Sequence, residues 1–173
     1  PSSLILTGVT YDVVLELAAA HGIPTAAVPH AAFPDRGAHE RAVIERLRGA
    51  GVEWVCLAGY MRLLSAAFVE AYPGRILNIH PALLPSFPGL HGQRQACAWG
   101  VKVSGCTVHL VDAELDHGPI VVQRAVPVLE GDDEESLAAR ILEQEHLAYP
   151  EALRRLLGEP WRLEGRRVVL TGR

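Results

Sequence analysis

Asn78 and His80 stand two residues apart at the mouth of an apolar run, in "RILNIHPALLPSFPGLHG" at 75–92. An Asn amide donates to a developing oxyanion, and an imidazole donates or exchanges a proton near neutral pH. If the strand continues through His80, both side chains point to one side. The competing reading is a turn, with Asn78 bonded to its own backbone. Pro81, Pro85 and Pro88 stiffen the segment after His80, which suits a held site and a plain rigid connection equally. From these residues alone, site and turn stand level.

A third group lies in "LVDAELDHGPI", where Asp112, Glu114 and Asp116 crowd a turn. A carboxylate beside an imidazole orients its tautomer and stabilises its charged form. A solvated acidic turn and a metal site are the alternatives, although no second His/Asp cluster accompanies the acids. Upstream, "LAGYMRLL" sets Gly59, Met61, Leu63 and Leu64 around Arg62. That mixture lines a flat, mostly apolar ligand pocket, or else packs into the core. Arg36 and His30 precede or open a helix and suit an anion or a surface role. Gln144, Glu145 and His146 sit in the middle of a helical pattern, facing a cleft or solvent.

These groups need elements to hold them. "SSLILTG" reads as a strand, and "VTYDVVLELAAAHGIP" as a helix ended by Gly22 and Pro24. "TAAV" reads as a brief edge strand. Residues 36–49 read as a helix with Val43, Ile44 and Leu47 inward, and 52–59 as a strand apolar on both faces. "SAAFVEAYPG" is a short helix and "RILNI" the next strand, a βα rhythm that marks an open α/β sheet. Beyond it come a helix ending at Gly100, then two strands, "SGCTVHLVD" and "PIVVQRAVPV", placed to pair antiparallel. "GDDEESLAARILEQEHLAYPEALRRLLGE" is the strongest helix, with acids at its start and a kink or break expected at Pro150. "WRLEGRRVVL" reads as a hairpin. The fold class is therefore a single-domain, Rossmann-like open mixed sheet flanked by helices, mostly parallel with an antiparallel C-terminal part.

The 173 residues are 49% hydrophobic and 21% charged, with net charge −4, which suits a folded domain and argues against a nucleic-acid partner. Cys56, Cys97 and Cys106 are odd in number and widely spaced, so a disulfide scaffold is not expected. With no long apolar run and no basic leader, no membrane partner is expected and the cytoplasm is the expected compartment.

Taken in order, "LAGYMRLLS" at 57–65, "ILNIHPALLPSFPGLHG" at 76–92, "HLVDAELDHGPIVVQ" at 109–123 and "EQEHLAYP" at 143–150 resemble the phosphoribosylglycinamide formyltransferases. The resemblance runs from about residue 4 to the C-terminus, and the Asn-x-His-Pro segment with its distant Asp-containing loop carries most of it. It implies transfer of a formyl group from 10-formyltetrahydrofolate to the amine of glycinamide ribonucleotide, without metal. Asn78, His80 and Asp116 match the family's catalytic residues. Met61, Arg62, Leu63, Leu64 and Asn78, with the loop Val111, Asp112, Ala113, Glu114, Leu115 and Asp116, match the folate side. Arg36, Gly59, Met61 and Glu145 match the ribonucleotide side. Leu142 departs from the polar or basic residue relatives often carry there. The chain reads as starting one βα unit late, without the family's first strand and glycine-rich phosphate loop. The expected assembly is a monomer or homodimer. A formyltetrahydrofolate deformylase and a non-catalytic folate-binding remnant are the alternative functions.

Overall fold

The computed structural model describes residues 11–172. The expected first strand, "SSLILTG", lies outside them. Six strands form one open mixed sheet in the order β1-β2-β3-β4-β6-β5. The chain divides into two compact units, Pro1–Leu77 and Asn78–Arg173.

In the first unit, α1 covers Tyr11–Ala20 and α2 covers Arg36–Gly49, the latter with the expected bounds. Asp35 caps α2 by accepting from the Ala38 amide at 2.7 Å, which satisfies one of the unpaired amides of the first turn. Ile44 and Leu47 are buried as expected, but so are His39 and Glu40. "TAAV" is not a strand: the Val28 carbonyl accepts from His39 Nε2 at 2.9 Å instead of from a neighbouring strand. The strand expected over 52–59 contracts to β1, Val55–Leu57. Helix α3, Ala66–Ala71, is capped by Ser65 and buries Phe68. Strand β2, Ile76–His80, begins with the fully buried Ile76 and Leu77.

The second unit opens on the last three residues of β2. Helix α4 covers Gly92–Trp99, β3 covers Val103–Leu110 and β4 covers Ile120–Pro127. Strands β3 and β4 pair antiparallel, with Thr107 opposite Gln123 and a register shift between Val108 and His109. Strand β3 is buried on both faces from Ser104 to Leu110. Helix α5, Glu134–Gly158, packs on β3 and β4 through Leu137, Ile141, Ala148, Ala152 and Leu156. Its start is a capping box in which Asp133 and Ser136 bond reciprocally.

Helix α5 runs through Pro150 as one element, so of the expected kink or break the break does not occur. An interior proline forfeits a backbone bond and costs about 3 kcal/mol. Buried residues on both sides of Pro150, Ala148 and Ala152 among them, hold the helix to the sheet and offset that loss. Strands β5, Trp161–Glu164, and β6, Arg167–Leu170, form the expected hairpin, and β6 pairs parallel with β4 through Ile120 and Arg167.

Candidate active site

Strand β2 does continue through His80, so Asn78 and His80 share one side of a single strand. His80 is 4% exposed. Its Nε2–H donates to the Phe87 carbonyl at 2.8 Å, and its Nδ1 lies 3.4 Å from Asp116 Oδ2. The Nδ1 edge of the ring therefore faces the Asp116 carboxylate. Both ring nitrogens of His80 face protein partners in this arrangement.

Asp116 is fixed from the proline-rich loop, because its Oδ2 accepts from the Gly89 amide at 2.7 Å. The loop makes that contact through unusual backbone angles. Phe87 has φ 55° and Gly89 has φ 81°, which turn the Phe87 carbonyl and the Gly89 amide toward the same pair. Asp116 itself has φ 48°. A non-glycine residue in this region costs on the order of 1–3 kcal/mol and persists only where its surroundings enforce it.

The enforcing contacts come from β3 and β4. Thr107 Oγ1 donates to the Ala82 carbonyl at 2.7 Å and accepts from the Leu84 amide at 3.0 Å. Gln123 Nε2, across the strand pair, donates to the Leu84 carbonyl and to Thr107 Oγ1, both at 2.9 Å. The expected stiffness of this segment thus comes from a buried hydrogen-bond network as well as from its prolines. Helix α4 begins at Gly92, where a Cβ would lie 3.2 Å from the Pro81 carbonyl oxygen and 3.5 Å from His80 Nε2.

One member of the site was not expected from the sequence. His109 is 2% exposed, and its Nε2 lies 3.2 Å from Asn78 Nδ2 and 3.8 Å from Asp116 Oδ1. Its Nδ1 bonds the Leu110 carbonyl at 2.9 Å, and a carbonyl only accepts, so Nδ1 carries the proton. Burial lowers the His109 pKa, keeping the ring neutral and Nε2 an acceptor. Asn78 must then turn its NH₂ toward His109, which leaves its second N–H for another acceptor. The available signal was a His among the buried residues of β3; its register shift relative to β4 supplied the aim.

The acidic loop is structured, not merely solvated. Asp112 Oδ1 accepts from the Glu114 amide at 3.0 Å, and Asp112 Oδ2 lies 2.8 Å from His117 Nδ1. Val111 and Asp112 are partly buried, whereas Ala113, Glu114 and Leu115 are exposed. On α5, Glu145 is half-buried, and burial raises its pKa. No group of three His, Cys, Asp or Glu side chains suited to a metal ion occurs among the described residues.

The remaining candidates belong to the first unit. Met61 is 76% exposed, and Arg62 and Leu63 are also exposed, so these do not pack into the core. Leu64 is partly buried, and Gly59 has φ 64° at the loop's start. Arg36 opens α2 with its Nε 3.6 Å from Glu40 Oε1. Glu40, 2% exposed, receives the Ser65 amide at 3.2 Å. Burial and the nearby Glu40 raise the Tyr60 pKa, against the smaller opposing effects of Arg62 and Arg36. Arg36 and Tyr60 therefore lie near one buried carboxylate.

The sequence profile of the formyl transferase family matches residues 6–153. The trifunctional purine biosynthetic protein adenosine-3 of Drosophila pseudoobscura pseudoobscura is 53% identical over 139 residues, which are 80% of this chain and 10% of that protein. Phosphoribosylglycinamide formyltransferase of Bacillus subtilis strain 168 is 46% identical over 145 residues, 84% of this chain and 74% of that protein. Among solved structures, glycinamide ribonucleotide transformylase 1 of Symbiobacterium toebii superposes with TM-score 0.87 at 54% identity, covering 90% of this chain and 74% of that one. The chain thus spans about a tenth of the fruit-fly protein and about three quarters of the two bacterial ones. With its profile match and these identities, the chain belongs to the formyl transferase family, among the phosphoribosylglycinamide formyltransferases.

Proposed function

We propose that the chain, acting as one formyltransferase domain, moves a formyl group from 10-formyltetrahydrofolate to the amine of glycinamide ribonucleotide. One observation carries the reading: a buried imidazole–carboxylate pair adjoins an Asn amide whose NH₂ is oriented by His109. When an amine attacks a formyl carbon, negative charge develops on the formyl oxygen and the nitrogen must lose a proton. Asn78 donates its second N–H to that oxygen. Asp116, with His80 behind it, takes the proton from the nascent ammonium and returns it to the leaving folate nitrogen. His80 holds positive charge beside the carboxylate while this happens.

The substrates are held by residues of known type. Met61, Leu63 and Leu64 serve the folate with apolar surface and Arg62 with a polar group; the 111–116 loop likewise serves the folate. Gly59 and Met61 serve the ribonucleotide, and Arg36 its phosphate. Glu145, half-buried and with its pKa raised, receives the amine side of the substrate. Small-molecule substrates, a cytoplasmic setting and chemistry without a metal complete the proposal. Among the described residues no helix is long and apolar enough to cross a membrane.

The competing activity is hydrolysis of formyltetrahydrofolate, in which water replaces the amine. Steady-state turnover of 10-formyltetrahydrofolate with and without glycinamide ribonucleotide separates the two. The proposal expects tetrahydrofolate release only with the ribonucleotide, together with one formylated ribonucleotide per turnover. Equal rates without the ribonucleotide indicate the hydrolase.

A further inference from the structure

Asp116 occupies a costly backbone conformation at the end of an exposed loop, with its carboxylate anchored on the Gly89 amide. The loop's other end is tied to β3 by the Leu110 amide, which donates to the Pro119 carbonyl at 2.8 Å. Gly118 makes this closure possible, since a Cβ there would stand 1.8 Å from the Leu110 carbonyl oxygen. Between these points lies His117, which the reaction does not use.

The C-terminal hairpin reaches His117 for a topological reason. Strand β6 pairs parallel with β4 at the very start of both strands, Ile120 beside Arg167. The hairpin turn, and Arg166 in it, is therefore delivered to the stem of the acidic loop. The Arg166 guanidinium donates from Nη2 to the His117 carbonyl, and its Nη1 lies 2.5 Å from His117 Nε2 and 3.0 Å from Nδ1. His117 Nδ1 donates to Asp112 at 2.8 Å, so Nε2 is the lone pair that accepts from Arg166. One guanidinium thus fixes both the backbone and the ring of the residue next to Asp116, and through the ring the Asp112 carboxylate at the far side of the loop. Glu114 Oε1, 4.0 Å from His117 Nδ1, adds negative charge to the same cluster.

We infer that Arg166 is a positioning residue: the C-terminal hairpin clamps the stem of the Asp112–His117 loop and keeps Asp116 at the geometry that meets His80. This rests on the proposed formyl transfer for its kinetic consequence, but the clamp itself is testable without catalysis. Arg166 is exposed, so its replacement leaves the core intact.

The test compares wild type with Arg166→Ala and Arg166→Lys by amide hydrogen exchange. Exchange in 112–118 is expected to accelerate about tenfold in Arg166→Ala, with β3 and α5 unchanged, and Arg166→Lys to be intermediate because an ammonium lacks the planar fork that meets both acceptors at once. In formyl transfer, Arg166→Ala is expected to lower kcat about tenfold, and to lower it hardly at all in an Asp116→Asn background, because its effect travels through Asp116. Unchanged exchange in 112–118, or the same kcat penalty in both backgrounds, overturns the inference. A wild-type protein with no formyl transfer overturns the proposed function, while the exchange measurement still decides the clamp.

Discussion

A neutral His109 between Asn78, Asp116 and the Leu110 carbonyl decides which way the Asn78 amide points. Replacing it by Phe keeps most of the volume and removes the acceptor, so Asn78 loses its orientation but not its chemistry. His109→Phe is expected to lower kcat about tenfold, near 1.4 kcal/mol, with little change in donor KM. Stopped-flow formyl transfer checks this. Asp116→Asn keeps an oxygen for the Gly89 amide while removing the charge that faces His80. Its kcat is expected to fall about 100-fold or more, with a melting temperature close to wild type. At this scale the sequence was informative in an uneven way. Asn78, His80 and Asp116 were legible because their order along the chain matches a family, whereas their local chemistry left a turn equally plausible. His109, Thr107 and Gln123 were not legible, because their roles depend on strand register, which no short motif encodes.

Helices and strands legible from pattern were those with a clear boundary signal. The bounds of α2 and the end of α4 at Gly100 follow from caps and glycine, and the antiparallel β3–β4 pair follows from its short connection. Where tertiary contacts decide, pattern misled: Val28 gives its carbonyl to His39 instead of a strand, and α5 passes through Pro150. The bracing of the proline-rich loop belongs to this scale as well. Thr107→Val removes both the acceptor of the Leu84 amide and the donor to the Ala82 carbonyl. Leaving such buried backbone groups unpaired costs about 1–3 kcal/mol, so chemical denaturation should show a lower midpoint at unchanged m-value. Turnover should fall with it, since the same loop carries the Phe87 carbonyl and the Gly89 amide.

Across the molecule, buried ionisable groups couple stability to pH. His109 titrates below its ordinary 6.5 in the fold because burial disfavours its charged form. Below that pH the unfolded chain binds a proton that the folded chain refuses, so stability present above 6.5 is lost as pH falls toward the folded value. Glu145 acts in the opposite sense, because its folded pKa lies above its ordinary 4.5. Its contribution is present below 4.5 and lost as pH rises through the raised value. Thermal melts from about pH 7.5 to 5.5 should therefore show wild type losing more stability on acidification than His109→Gln. Equal slopes would contradict a buried neutral His109. The sheet class was legible from the alternation of apolar strands and helices.

The claim on which the rest depends is that Asn78 stabilises the developing oxyanion. Single-turnover formyl transfer to glycinamide ribonucleotide by Asn78→Ala tests it most directly, alongside equilibrium binding of a non-transferable folate. Loss of one such donor is worth roughly 2.7–4 kcal/mol. If Asn78 is that donor, the rate falls at least about 100-fold below wild type with folate affinity only modestly reduced. An unchanged rate at saturating substrates would contradict it.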